Sequence, residues 1–183
     1  STLEKSKLYR YLEDGASGLM IPHVSSSEKA RTLVNSIKFP PQGDRGIDGA
    51  GMDSQFMLQG GYEYTEPANN ETFLVVQIET REAVENADEI AAVEGVDSLF
   101  IGTGDLGLRI NKLGSELNLE QSIIKVAEAA NKHGKAWGRP VSGIDDIKHI
   151  LSQGAKLLPY GGDFTMLKNE LERHSKELDA CIS

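Results

Sequence analysis

Short apolar runs alternate with segments of helical periodicity along most of the chain, and a glycine follows nearly every helical segment. The apolar runs are almost continuous, which is typical of strands that are buried on both faces, as in a parallel sheet. A repeat of strand, helix and terminating glycine is the pattern of the βα architectures. The chain is therefore predicted to be an α/β protein with a parallel sheet.

The pattern predicts five strands, which are residues 18–24, 73–79, 96–102, 135–138 and 156–162. The helical periodicity predicts helices at residues 8–14, 25–37, 81–94, 118–133, 144–153 and 167–179. A complete (β/α)8 TIM barrel has eight strands and about 250 residues. Residues 1–183 are therefore interpreted as a single partial barrel domain that contains the last five βα units. An open sheet of the doubly wound type is the alternative.

Acidic residues outnumber basic ones, with 28 Asp and Glu against 19 Lys and Arg, so the formal net charge is -9. This charge weighs against nucleic acid or an anionic membrane as a partner. No apolar stretch approaches the roughly 18 residues that suggest a membrane span, and the polar start of the chain, residues 1–5, lacks the apolar core of a signal peptide. We therefore expect a cytoplasmic protein. Cys181 is the only cysteine, so no internal disulfide is expected.

Two polar residues end the second predicted strand. Side chains alternate across a strand, so Gln77 and Glu79 point to the same face. A buried glutamine and carboxylate are costly unless a metal ion, a ligand or a protein group pairs with them. The alternatives for Glu79 are therefore a ligand site, or a structural partner such as a helix terminus or Arg81.

The third predicted strand ends in a glycine-rich turn, residues 102–107, which contains Asp105. Glycines let backbone amides approach an anion closely, and the carboxyl ends of neighbouring parallel strands meet at one edge of the sheet. Glu79 and Asp105 can therefore complete one site. Two carboxylates with water suit Mg²⁺ or Mn²⁺ better than zinc.

Two further side chains are candidates for the site. Arg45 lies in a long glycine-rich loop, residues 38–70, and is suited either to binding a substrate carboxylate or to a structural ion pair with Asp44 or Asp48. His23 follows the first predicted strand and is either a base or ligand, or a hydrogen-bonded structural residue.

Four segments of the chain resemble the HpcH/HpaI family of metal-dependent, class II pyruvate aldolases. They are KFPPQGDRG (residues 38–46), VQIETREA (76–83), EGVDSLFIGTGDL (94–106) and GGD (161–163). The resemblance extends over nearly the whole chain and implies a (β/α)8 barrel.

In that family the metal ligands map to Glu79 and Asp105, and the ion is expected to be Mg²⁺ or Mn²⁺. The substrate pyruvate is expected to contact Gln77 and the backbone amides of the turn, which are those of Gly102, Thr103 and Gly104. The resemblance implies a lyase that cleaves or forms a carbon-carbon bond in 4-hydroxy-2-oxo acids through a metal-bound pyruvate enolate. It also implies an aldehyde as second substrate and assembly into a homo-oligomer.

The chain departs from the family pattern in two respects. Thr103 stands where the family usually has proline, and Gly107 where it usually has serine. The family's catalytic histidine and arginine come from N-terminal strands that this sequence lacks, so no catalytic residue is assigned. The alternative function is a non-catalytic relative that binds metal or a 2-oxo acid, or that serves in assembly.

Overall fold

The computed structural model describes residues 4–182 and arranges them around a parallel four-stranded sheet. The strands lie side by side in chain order and are β1 (Gly18–Ile21), β2 (Phe73–Ile78), β3 (Ser98–Ile101) and β4 (Ala136–Gly138). The α-helices are α1 (Lys5–Glu13), α2 (Ser27–Ile37), α3 (Thr65–Glu71), α4 (Arg81–Glu85), α5 (Ala87–Ala91), α6 (Thr103–Leu113), α7 (Leu119–Lys132), α8 (Ile144–Ser152) and α9 (Asp163–Ile182). The strand order has no reversal, so no switch point of a doubly wound sheet lies among the described strands.

The prediction of a fifth strand at residues 156–162 is wrong. This segment makes only two isolated parallel bridges, from Gly138 to Leu157 and from Val141 to Tyr160. Pro140 and Pro159 lie between the bridges, and a proline has no N–H to contribute to a ladder. The chain therefore follows the edge of β4 without extending the sheet continuously.

Several predicted boundaries differ from the structure, and three of the differences change the type or number of elements. The loop at residues 38–70 contains a 3₁₀ turn, Tyr62–Tyr64, and most of α3. The helix predicted over residues 81–94 is divided at Asn86, whose backbone is not helical (φ -91°, ψ 9°) and whose side chain donates a hydrogen bond to the Ser25 carbonyl, 2.8 Å away. The turn predicted after β3 is the start of helix α6.

One face of the sheet packs against helices and forms the core. Leu74, Val76 and Ile78 alternate along β2 and are fully buried in it. The opposite face is more open, since Met20 is 42% exposed and Phe73 is 44% exposed. The alternation predicted for β2 is therefore present, with the apolar, helix-covered face on one side and the Gln77 face on the other.

Local capping explains where two core helices begin. The Ser26 side chain accepts a hydrogen bond from the Lys29 N–H and starts α2, which agrees with the predicted start of that helix. Asn118 and Gln121 form a reciprocal capping box that starts α7.

The carboxyl-terminal end of the described chain carries less of the core than the amino-terminal end, where Leu8 and Leu12 of α1 are buried. The first three residues of the polar start lie outside the described range, and Cys181 is exposed in α9, a helix with no buried residue among those described. Within residues 4–182, no helix is both long enough and apolar enough to cross a bilayer.

Candidate active site

Glu79 directly follows β2 and is held at the carboxyl ends of the first three strands. It is only 6% exposed. Its Oε2 atom accepts a hydrogen bond from the His23 backbone N–H at 3.0 Å, and the His23 Nδ1 atom lies 3.4 Å from the same oxygen. Arg81 is not its partner, because the Arg81 guanidinium donates instead to the Gly114 carbonyl at 2.5 Å.

The other carboxylate oxygen of Glu79, Oε1, has no such contacts in the described part of the chain. Within residues 4–182, no hydrogen bond or ion pair engages Oε1. The carboxylate lies against Gly102, where an added Cβ would come within 2.5 Å of both the Glu79 Cγ and Oε1 atoms. Only glycine leaves room for this arrangement. The carboxylate therefore occupies a cradle that any side chain at position 102 would fill.

Asp105 lies in the first turn of α6, the helix that begins immediately after Gly102. The carboxylate is half exposed and forms an ion pair with Arg109 one turn later, with 2.9 Å between Oδ1 and Nη1. The first backbone N–H groups of a helix have no partner within the helix. Those of Thr103 and Gly104 are in this position, which gives this edge an anion-attracting character.

Arg109 joins the two candidate carboxylate residues. Its Nη1 atom also lies 3.2 Å from the Asp105 carbonyl oxygen and 3.4 Å from the Glu79 carbonyl oxygen. Arg109 is not among the residues predicted from the sequence, because Asp105 was predicted to lie in a turn and not in a helix. Had α6 been predicted to start at Thr103, the i,i+4 spacing of aspartate and arginine would have indicated the pair.

Gln77 lies one layer below Glu79 on the open face of the sheet. It is in register with Phe100 of β3, and Gly102, which contacts Glu79, follows Phe100 by two residues. Residues in register on parallel strands share a face. Gln77 is half-buried, and within the described part of the chain its side-chain amide has no hydrogen bond.

His23 has an unusual backbone for a histidine, with a φ of 56°. The left-handed region costs about 1 kcal/mol or more for a residue with a side chain. Two contacts hold it there, the bond from its N–H to Glu79 and a 2.5 Å bond from the Lys29 Nζ atom to its carbonyl oxygen. The structural interpretation of His23 therefore has a specific basis, while its ring remains partly exposed beside Glu79.

Arg45 is not brought to this edge. Its side chain is buried in an ion pair with Asp53, and its Cζ atom lies 4.5 Å from the centre of the Phe39 ring. The predicted partners are wrong, because Asp44 pairs with Lys5 and Asp48 accepts from the Ala50 N–H. A partner eight residues away in an irregular loop leaves no periodic signal in the sequence.

The position of this loop follows from Lys38, whose Nζ atom donates to the carbonyl oxygens of Asn69, at 2.6 Å, and Thr72. Thr72 immediately precedes β2, and the Arg45 N–H bonds the Lys38 carbonyl at 3.0 Å. Arg45 is thus anchored at the amino end of β2, opposite Glu79.

A second ion pair lies where β4 ends. The Arg139 guanidinium donates to both carboxylate oxygens of Asp146, at 2.5 and 3.2 Å. These bonds, and then the bond from the Ser142 N–H, lower the pKa of Asp146 to about 2. Arg139 therefore has its charge balanced within the chain.

The donor set fits a hard divalent cation that keeps water ligands. In the range 4–182, no group of three or more His, Cys, Asp or Glu side chains is arranged to hold a metal ion. Mg²⁺ sites commonly use one or two carboxylates and complete their shell with water or substrate oxygens. An unpartnered Oε1 on a buried Glu79, with Asp105 on the adjoining helix turn, agrees with that pattern.

Comparison with known families gives an independent finding. The model of the HpcH/HpaI aldolase/citrate lyase family matches residues 1–169.

Curated relatives agree with this match. The chain is 38% identical over 160 residues to a hydroxypyruvate/pyruvate aldolase of Deinococcus radiodurans, covering 86% of the chain and 57% of that protein. It is 31% identical over 174 residues to a 5-keto-4-deoxy-D-glucarate aldolase of Escherichia coli, covering 94% and 67%. The chain thus spans about three-fifths of the length of the curated relatives it matches.

The fold has solved counterparts. A crystal structure of an HpcH/HpaI aldolase from Desulfitobacterium hafniense superposes with a TM-score of 0.86 at 30% identity, covering 96% of this chain and 68% of that one.

Proposed function

The chain belongs to the HpcH/HpaI aldolase/citrate lyase family, and on that premise we propose that it contributes the metal and 2-oxo-acid site of an aldolase. The reaction is the cleavage or formation of a carbon-carbon bond in 4-hydroxy-2-oxo acids, with pyruvate and an aldehyde as the smaller partners. Relatives with aldolase names support the reaction class.

One observation carries the proposal. Glu79 is buried at a sheet edge, yet its Oε1 atom has no partner within the described range and lies on Gly102, three residues before Asp105. Oε1 is not among the described buried side-chain atoms that lack a hydrogen-bond partner, so solvent reaches it and a ligand can do so as well. An external cation shared with Asp105 would supply the missing interaction.

In this proposal Glu79 and Asp105 hold a divalent cation, Mg²⁺ or Mn²⁺. When bound, such an ion acts as a Lewis acid that polarises the carbonyl of a 2-oxo acid. The chain's own groups bind and orient the substrate. The free N–H groups of Thr103 and Gly104 at the start of α6 attract its carboxylate, and the unbonded amide of Gln77 offers a donor one layer below Glu79.

The proposal extends to architecture. We infer that β1 to β4 and the bridged segment after β4 are units of a (β/α)8 barrel, since the order is sequential and the helices cover one face. The open face around Met20 and Phe73 would then line the barrel interior. A homo-oligomer in the cytoplasm remains our expectation for the protein that carries these residues.

Pyruvate release from a 4-hydroxy-2-oxo acid tests the function. We expect release in the presence of Mg²⁺ or Mn²⁺, none with a chelator, and none from Glu79→Gln with either metal. Glu128→Gln, which makes the same charge change at an exposed position on α7, should behave like the wild type.

A sample that is folded by circular dichroism but releases no pyruvate with either metal would defeat the aldolase proposal for this chain. Calorimetry with Mn²⁺ and oxalate then separates the second candidate. Binding without turnover would favour a non-catalytic family member. No binding would remove the site itself.

A further inference from the structure

Arg109 is a resident cation at the proposed metal site. Its guanidinium touches both residues that are proposed to hold the divalent ion, through the Asp105 carboxylate and the Glu79 carbonyl oxygen. Within the described range, no other arginine or lysine contacts both.

The ion pair with Asp105 uses an oxygen that a metal ion needs. Arg109 Nη1 lies 2.9 Å from Asp105 Oδ1, and the carboxylate is exposed enough to change partners. Asp105 can therefore be shared, or be transferred from the guanidinium to an entering ion. The same nitrogen also faces two backbone carbonyl oxygens, so it keeps acceptors when the carboxylate is withdrawn.

The charge on Arg109 opposes metal binding in two ways. The guanidinium stabilises Asp105 in the metal-free protein, and it repels a divalent ion bound a few ångströms away. We propose that Arg109 is a positioning residue that competes with the divalent cation for Asp105 and thereby lowers the affinity of the site. This inference rests on the proposed metal site at Glu79 and Asp105.

The competition predicts a gain in affinity when the charge is removed. The Glu79 side chain does not depend on the guanidinium, which contacts only the Glu79 backbone carbonyl oxygen. Its Oε2 atom accepts from the His23 N–H, and its Oε1 atom lies against Gly102. Loss of the Arg109 charge should therefore leave the buried ligand in place and free the exposed one. A residue with a purely structural role would give the opposite sign, since its loss would loosen Asp105 and weaken binding.

Mn²⁺ calorimetry on the full chain tests the inference without any measurement of turnover. We expect Arg109→Gln to bind Mn²⁺ about five- to tenfold more tightly than the wild type, because the substitution removes both the competing pair and the repulsion. Arg109→Lys retains the charge and should stay within about twofold of the wild type. Lys112→Gln is the matched control, since it removes one exposed charge from the same helix without touching Asp105.

The outcomes separate this inference from the proposed function. Wild-type binding that is unchanged or weakened in Arg109→Gln would overturn the competition and leave the metal site standing. An equal gain in Lys112→Gln would also overturn it, because net charge alone would then explain the effect. Mn²⁺ binding by neither the wild type nor Arg109→Gln would overturn both the site and the competition.

Discussion

Two buried charges lie at opposite ends of β2, and the chain treats them differently. Arg45, at the amino end, is 4% exposed, forms an ion pair with Asp53 and stacks on the Phe39 ring. Glu79, at the carboxyl end, is 6% exposed, and within the described range only its Oε2 atom has a donor. The charge at one end is balanced by the chain itself, while the charge at the other is not.

This difference indicates where the chain requires something external. A buried guanidinium with a carboxylate partner is tolerated, whereas the Glu79 carboxylate has an oxygen that is open to an external cation. Within the described range, Glu79 Oε1 is not among the buried atoms that lack a partner, so it is accessible to a ligand, whereas the Arg45 Nε atom is enclosed without a hydrogen bond. The amino end of β2 is therefore interpreted as structural, and the carboxyl end as the site that a ligand completes.

The largest effect on stability is expected from breaking the buried ion pair between Arg45 and Asp53. Arg45→Met removes the guanidinium and leaves the Asp53 carboxylate nearly buried without its counter-ion. Loss of one partner from a buried pair costs about 3–5 kcal/mol. We expect the free energy of unfolding in urea to fall by that amount. Mn²⁺ affinity of the protein that remains folded should be unchanged, because Arg45 is anchored at the other end of the sheet.

The matched control is Lys5→Met, which breaks the exposed ion pair with Asp44. Exposed pairs contribute about 0–1 kcal/mol, so this variant should be close to the wild type. An Arg45→Met protein that is as stable as the Lys5 variant, or that has lost Mn²⁺ binding while folded, would contradict the division between the two ends.

The next largest effect is expected from adding a side chain at Gly102, which would occupy the space that the Glu79 carboxylate uses at the carboxyl end of β2. In Gly102→Ala the new Cβ would lie 2.5 Å from the Glu79 Cγ and Oε1 atoms, so the carboxylate must move. We expect Mn²⁺ affinity, measured by calorimetry, to fall about 100-fold, the upper range for loss of support around a metal ligand. Unfolding free energy should fall by about 1–3 kcal/mol, as in other overpacked sites.

Gly107→Ala provides the control on the same helix. Its added Cβ would meet only the Leu119 side chain at an ordinary 3.7 Å. Alanine favours helix by up to about 1 kcal/mol over glycine, so this variant should be slightly more stable and bind Mn²⁺ normally. Normal binding by Gly102→Ala would mean that the position of Glu79 Oε1 is irrelevant to the site.

These regions also differ in how far the sequence predicts them. The strands β2 and β3 and the start of α7 follow from local signals, which are continuous apolar runs and a capping residue. Gln77 and Glu79 were predicted to share one face of β2 because side-chain alternation along a strand is a local property that can be read from a few residues.

Long-range partners were not predictable. Nothing local to Arg45 indicates Asp53 rather than Asp44 or Asp48, since the choice is made by the packing of an irregular loop against Phe39. The glycine-rich turn before Asp105 concealed the start of α6, because glycine is a poor helix former and its role here is to admit the Glu79 carboxylate. That missed boundary also concealed Arg109.

The smallest effect is expected at the ion pair between Arg139 and Asp146, which lies at the carboxyl edge of the sheet and is formed within the chain. Asp146→Asn weakens the bonds to Arg139 and to the Ser142 N–H, and hydrogen bonds to charged groups contribute roughly 1.5–3 kcal/mol in favourable cases. We expect a loss of about 1–2 kcal/mol of unfolding free energy at pH 7, since the pair is partly solvated. Mn²⁺ affinity should not change, because Asp146 is already balanced by Arg139.

The pH dependence of this loss tests its electrostatic origin. The pKa of Asp146 is lowered from 3.8 to about 2 in the folded protein, so its contribution is present above the unfolded pKa and is lost as the pH falls toward 2. The difference in urea stability between wild type and Asp146→Asn should therefore be constant from pH 7 to 5 and shrink between pH 4 and about 3. Asp145→Asn, at the fully exposed neighbouring position, should change stability little at any pH. If the stability difference between the wild type and Asp146→Asn stayed constant down to pH 3, Asp146 would stabilise the protein through packing and not through its charge. The ion pair with Arg139 could then no longer be contrasted with the Glu79 carboxylate as a charge that the chain balances itself.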